Sequence, residues 1–187
     1  MTIRLTLVTP APGRSLRQAR IDDDRPLDED GRRRAHEAGS GLPRAGRYLT
    51  APSRRCRETA VAVGVDACVE EELRDIDLGA WRGRTLEELA ATDPDALAAW
   101  TTDPSAASHG GESVLRFCRR IAAWLDHLPD DTSGALAIVA ITEPATARAA
   151  VVHALGAPPQ GFWRIDIPPL ASVRLTGRAG RWNLRLG

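Results

Sequence analysis

The chain has 187 residues, 43% apolar and 27% charged, enough for one domain with a full hydrophobic core. Its 25 basic and 25 acidic residues balance, so it lacks the electrostatic footprint of a nucleic-acid or anionic-membrane binder. Every basic residue is arginine, which excludes Schiff-base and lysine-base chemistry and, with the many alanines, points to a GC-rich bacterial gene. Cys56, Cys68 and Cys118 have no C-x-x-C spacing and read as reduced cytosolic core thiols. Neither a signal peptide nor an apolar run of about 18 residues is visible, so a cytoplasmic protein with no membrane partner is expected.

In chain order, Ile3, Leu5 and Leu7 alternate with Arg4 and Thr6, and Val8 extends the run, which predicts a strand near the middle of a sheet. Pro10 and Pro12 stop it abruptly, because neither can donate a ladder hydrogen bond. Asp22–Asp24 with Arg20 and Arg25 reads as a charged, solvated loop. Asp28 is placed to cap a helix carrying Ala35 and Ala38. A short strand over Tyr48–Ala51 and a helix over Arg54–Val63 follow, started by Pro52-Ser53. Val65–Val69 is a further candidate strand.

Thr85 and Glu88 form a capping box for Thr85–Leu89, and Asp93–Trp100 predicts another short helix. Glu112–Leu128 has a strong amphipathic stripe from Val114 to Leu128. Ala135–Ile141 is a continuous apolar run, the mark of a buried parallel strand, and Ala145–Leu155 reads as a helix. Phe162–Ile167, Ser172–Thr176 and Trp182–Leu186 are expected to be strands. Alternating strands and helices predict one α/β domain over residues 1–187: a three-layer sandwich with a mixed, mostly parallel sheet and helices on both faces.

Five segments then resemble, in order, the histidine phosphatase (phosphoglycerate mutase-like) superfamily: the opening strand, Pro26-Leu27 with Gly31, Pro52-Ser53-Arg54-Arg55, Leu73 to Gly83 with Asp75, Gly79 and Trp81, and Gly111-Glu112-Ser113. The resemblance implies a phosphoglycerate mutase-like fold. It matches Arg55 to a pocket arginine and Asp75 to the family's acidic proton donor. At the family's Arg-His-Gly stands Thr9-Pro10-Ala11, and at its second histidine stands Glu143.

Those departures shape the functional expectation. Pro10 offers no nucleophile, Thr9 removes a cation and Glu143 adds an anion. The sequence therefore suggests a non-phosphatase member using acid–base chemistry on a small non-phosphorylated molecule. A catalytically inactive binding or regulatory protein is the alternative. Glu143 and Asp75 are the expected catalytic pair, with Arg55, Thr9, Pro10, Arg14 and His109 as binding residues; Arg55 is either tied up by a carboxylate or part of a working acid–base site. Arg14 and Arg148 are the arginines that could compensate lost charge. No metal, cofactor or nucleic-acid partner is implied, and a monomer or homodimer is expected.

Overall fold

The computed structural model describes residues 2–21, 24–128 and 136–186. Six strands form one mixed sheet: β1 (Ile3–Val8), β2 (Arg47–Thr50), β3 (Cys68–Val69), β4 (Ala137–Ile141), β5 (Ser172–Arg178) and β6 (Arg181–Arg185), in the order β3-β2-β4-β1-β5-β6. β1 to β4 run parallel, whereas β5 runs antiparallel to β1 and β6 antiparallel to β5. The two central strands, β1 and β4, are the most thoroughly buried, in line with their near-continuous apolar sequences.

The helices are α1 (Arg14–Arg17), α2 (Glu29–Ala38), α3 (Arg54–Ala62), α4 (Leu86–Thr92), α5 (Pro94–Thr102), α6 (Val114–Asp126) and α7 (Pro144–Ala154). Right-handed crossovers put α2 and α3 on one face as the chain steps from β1 out to β3. The chain then returns to β4, which puts α6 on the other face, where it packs against α7. The connections leaving β1 and β4 thus diverge in opposite directions. That makes a crevice at the carboxyl ends of these neighbours, where Val8 pairs with Ile141.

Local chemistry explains the element boundaries. The Asp28 side chain accepts from the Gly31 amide at 2.9 Å, and the Thr85–Glu88 capping box closes in both directions. α6 begins at Val114 because the Ser113 hydroxyl, not Glu112, supplies the cap. The expected strand over Phe162–Ile167 is not formed. Pro159–Arg164 is instead a 3₁₀ helix, with Phe162 packed edge-on against Phe117 and Trp163. Pro158 and Pro159 favour this helical entry and cannot donate to a ladder. Cys56 and Cys118 are buried, as expected of core thiols, but Cys68 is exposed because it lies on the short edge strand β3. Ala135, where the sequence started the β4 run, lies outside the described residues, as do Asp22 and Asp23 of the charged loop.

Candidate active site

The carboxyl ends of β1 and β4 and the N-termini of α3 and α7 converge on one carboxylate. Glu143 is the N-cap residue of α7, yet its side chain makes no capping bond to that helix. It points across to α3. Arg55 donates from Nε to Glu143 Oε1 at 2.9 Å and from Nη2 to Oε2, a two-pronged ion pair. Ser53 Oγ donates to Glu143 Oε1 at 2.7 Å, and the Cys56 thiol points at the same oxygen from 3.4 Å. The Glu143 side chain is 0% exposed and that of Arg55 16%, so the pair is largely cut off from water. Burial, and next the Glu143 charge, push the Cys56 thiol far up, which makes it unreactive.

Ser53 also lines a cleft of about 410 Å³ together with Asp75, Arg74 and Arg82. Asp75 is presented by a segment that Arg120 of α6 clamps. The Arg120 guanidinium donates to the carbonyls of Glu72 at 2.6 Å, Arg74 at 3.2 Å and Asp75 at 3.4 Å. Its remaining donors meet Glu112 at 3.1 and 2.8 Å. The next turn is fixed by close backbone approach: a Cβ on Gly111 would lie 2.1 Å from the Asp77 carbonyl oxygen. The same logic holds for Gly79, where φ is +45° and a Cβ would meet the His109 carbonyl at 2.2 Å. The glycine spacing of this region therefore serves the placement of Asp75.

Other residues singled out from sequence go elsewhere. Thr9 is fully buried, and its hydroxyl donates to the Pro168 carbonyl at 2.7 Å and accepts from the Ala171 amide at 3.1 Å. It pins residues 168–171 to the end of β1. Pro10 is buried at the same strand end. Arg14 is exposed on α1. Arg148 donates from Nε to the Ile165 carbonyl at 2.7 Å and stacks on Phe162, while Asp166 and Asp75 supply nearby negative charge.

His109 is not at the mouth of the site. It is 3% exposed and lies against Trp81, with ring centroids 4.9 Å apart, and edge-on to Trp100. The Gly111 amide donates to Nδ1 at 3.1 Å, which assigns the ring proton to Nε2. Burial holds its pKa below the usual 6.5, with the Asp77 charge opposing. A lowered folded pKa means the unfolded chain binds the proton first as pH falls. The stabilising preference for neutral His109 is thus complete above 6.5 and is lost as pH drops from there through the folded pKa. Unfolding midpoints measured from pH 8 to pH 5 are expected to fall more steeply for the wild type than for His109→Gln. Parallel curves would remove His109 as the source.

Among the described residues no cluster of three histidine, cysteine or acidic side chains could hold a metal ion, and no helix is long and apolar enough to cross a membrane.

With this geometry in place, comparison with known proteins defines the family. The model of the histidine phosphatase superfamily (branch 1) matches residues 13–186, and the chain belongs to that superfamily. A glucosyl-3-phosphoglycerate phosphatase of Mycobacterium tuberculosis is 38% identical over 109 residues, 55% of this chain and 48% of that protein. A bifunctional protein of the same organism is 33% identical over 120 residues, 60% of this chain and 33% of its own length. The matched stretches thus span half or less of these relatives. The solved structure of a mycobacterial glucosyl-3-phosphoglycerate phosphatase in complex with VO3 superposes with a TM-score of 0.86 at 25% identity, covering 98% of this chain and 97% of that one.

These matches overturn the expectation of a non-phosphatase working on a non-phosphorylated molecule, and equally that of an inactive binding protein. One of these relatives and the structural neighbour are named as glucosyl-3-phosphoglycerate phosphatases, which points to phosphoryl chemistry. The expectation rested on Pro10 and Glu143 alone, and two positions do not decide whether a site can carry phosphoryl chemistry. The site has other polar groups. Ser53 stands in the sequence both as a helix start and within the Pro52-Ser53-Arg54-Arg55 segment, and its partner Glu143 lies 90 positions away in the chain.

Proposed function

We propose that this protein is a phosphatase that hydrolyses small phosphate monoesters at the carboxyl edge of β1 and β4. The observation that carries the reading is the gathering of Arg55, Ser53 and Glu143 beside a cleft that Asp75 also lines. Family membership and phosphatase relatives support it. In this reading the Arg55 guanidinium holds the phosphoryl oxygens, where delocalised charge and paired donors match a tetrahedral anion. Asp75 serves as the proton donor to the leaving oxygen. Glu143 takes a proton from the attacking group. With Pro10 and Glu143 at the positions matched to imidazoles, that attacking group is not a histidine at either site.

The cleft, of about 410 Å³, suits a small phosphorylated metabolite. Arg74 and Arg82 on its wall suit a second anionic group on the substrate, and the glycosylated phosphoglycerate named for the relatives is a fitting first candidate. Phosphate release should be measured with p-nitrophenyl phosphate, glucosyl-3-phosphoglycerate and simple sugar phosphates. Turnover that Arg55→Ala suppresses is expected. Release no greater than that of the Arg55→Ala protein across the whole panel would refute phosphatase activity at this site.

A further inference from the structure

We infer that Ser53 is the nucleophile that receives the phosphoryl group, with Glu143 as its base and Arg55 as the group that orients that base. This rests on the phosphatase reading above. A serine hydroxyl is a weak nucleophile unless a base lies within about 2.6–3.2 Å and is itself held in place. Both conditions are met: Ser53 Oγ donates to Glu143 Oε1 at 2.7 Å, and the two-pronged contact from Arg55 fixes the carboxylate plane. Ser53 is also the N-cap of α3, and the Cys56 amide points at Oγ from 3.3 Å. Negative charge developing on Oγ and on the incoming phosphoryl group is therefore met by the positive end of a nine-residue helix.

Other hydroxyls and thiols at this edge lack that combination. The Thr9 hydroxyl is committed to the Pro168 carbonyl. Thr142 is fully buried, and among the described residues its hydroxyl has no hydrogen-bond partner that could act as base. Cys56 is buried beneath the carboxylate. Ser53, in contrast, lines the cleft shared with Asp75.

The two half-reactions balance. In the first, the Ser53 Oγ–phosphorus bond forms as the ester P–O bond breaks. The hydroxyl proton passes to Glu143, and the leaving oxygen takes a proton from Asp75. In the second, water attacks phosphorus and gives a proton to the Asp75 carboxylate. The P–Oγ bond breaks, and Oγ recovers its proton from Glu143. The sum is ester plus water to alcohol plus inorganic phosphate.

The diagnostic is acid stability, because a phosphoserine survives an acid quench that destroys a phosphohistidine. The full chain should be mixed with p-nitrophenyl phosphate, quenched in acid within the first turnovers, and analysed by intact mass and peptide mapping. One phosphoryl group on Ser53 is expected. Ser53→Asn keeps a good helix cap and an N–H toward Glu143 but has no nucleophile. It should fold with an unchanged unfolding midpoint, carry no phosphoryl group and lose at least about 10³-fold in kcat. Turnover by Ser53→Asn within about three-fold of wild type, or a phosphoryl group mapped elsewhere, would overturn the inference and leave the phosphatase reading standing. A wild-type protein with neither turnover nor adduct would instead remove the phosphatase reading and the inference with it.

Discussion

Arg55→Ala is expected to lower kcat/KM for phosphate esters by about 10²–10³-fold and to cost about 3–5 kcal/mol of stability. The two losses have different origins. The catalytic loss is that of a cation facing the phosphoryl oxygens. The stability loss comes from the survivor, since Glu143 is 0% exposed and takes two of its contacts from the one guanidinium. Without Arg55, a buried carboxylate keeps only Ser53 and the weakly polar Cys56 as partners. For a chain of 187 residues, a loss of that size lowers the thermal midpoint by about 6–20 °C. Pairing Arg55→Met with Glu143→Leu separates the two effects. The double replacement removes both charges and fills the space, so stability should return close to wild type while kcat/KM stays at least as low as in Arg55→Ala. A double variant as unstable as Arg55→Ala would mean that the pair is not the energetic unit its geometry implies.

The sheet and its order of elements were legible in the sequence because the signals were physically strong. Ile3–Val8 alternates and then continues apolar, as expected of a strand between two neighbours, and it pairs with β4 on one side and β5 on the other. The α6 stripe from Val114 to Leu125 is buried along its length. Where the reading failed, distant segments decided the outcome. Phe162–Ile167 reads as a strand, but Phe162 and Trp163 are claimed by an aromatic cluster with Phe117 and Trp100. His109 sits in a Ser-His-Gly-Gly loop that looked solvated, yet Trp81 and Trp100 close over it from other elements.

The site divides in the same way. Motif spacing pointed to Arg55, Asp75 and Glu143, and the fold gathers them at the end of the central strands. For Ser53 the sequence signals a helix cap, which it also is, and says nothing of a contact with Glu143. Its second role depends on a carboxylate reached only through the tertiary fold. The same limit applies to Thr9, whose polar side chain at a strand end gave no sign that residues 168–171 would consume it.

Glu143→Gln is expected to lower kcat by about 10²–10⁴-fold while lowering KM, an unusual combination that follows from the two charges in contact. As the base for Ser53, the carboxylate is needed in the chemical step, and an amide cannot take the proton. As an anion close to the phosphoryl group, it opposes substrate binding by about 3 kcal/mol per unit charge at ~5 Å and an effective dielectric of ~20. Even a third of that repulsion relieved corresponds to about a five-fold fall in KM. Glutamine also removes the full charge that Arg55 faces in Glu143, so the guanidinium interacts more strongly with a phosphate oxygen. A stability cost of about 1–3 kcal/mol accompanies the change, because one end of the amide is a donor and cannot accept from a guanidinium as Oε1 and Oε2 both do. Single-turnover rates and the thermal shift produced by inorganic phosphate or vanadate would read the two effects apart. An undiminished single-turnover rate would exclude Glu143 as the base. Weaker phosphate binding by the variant would place the carboxylate away from the phosphoryl group and make its contact with Arg55 purely structural.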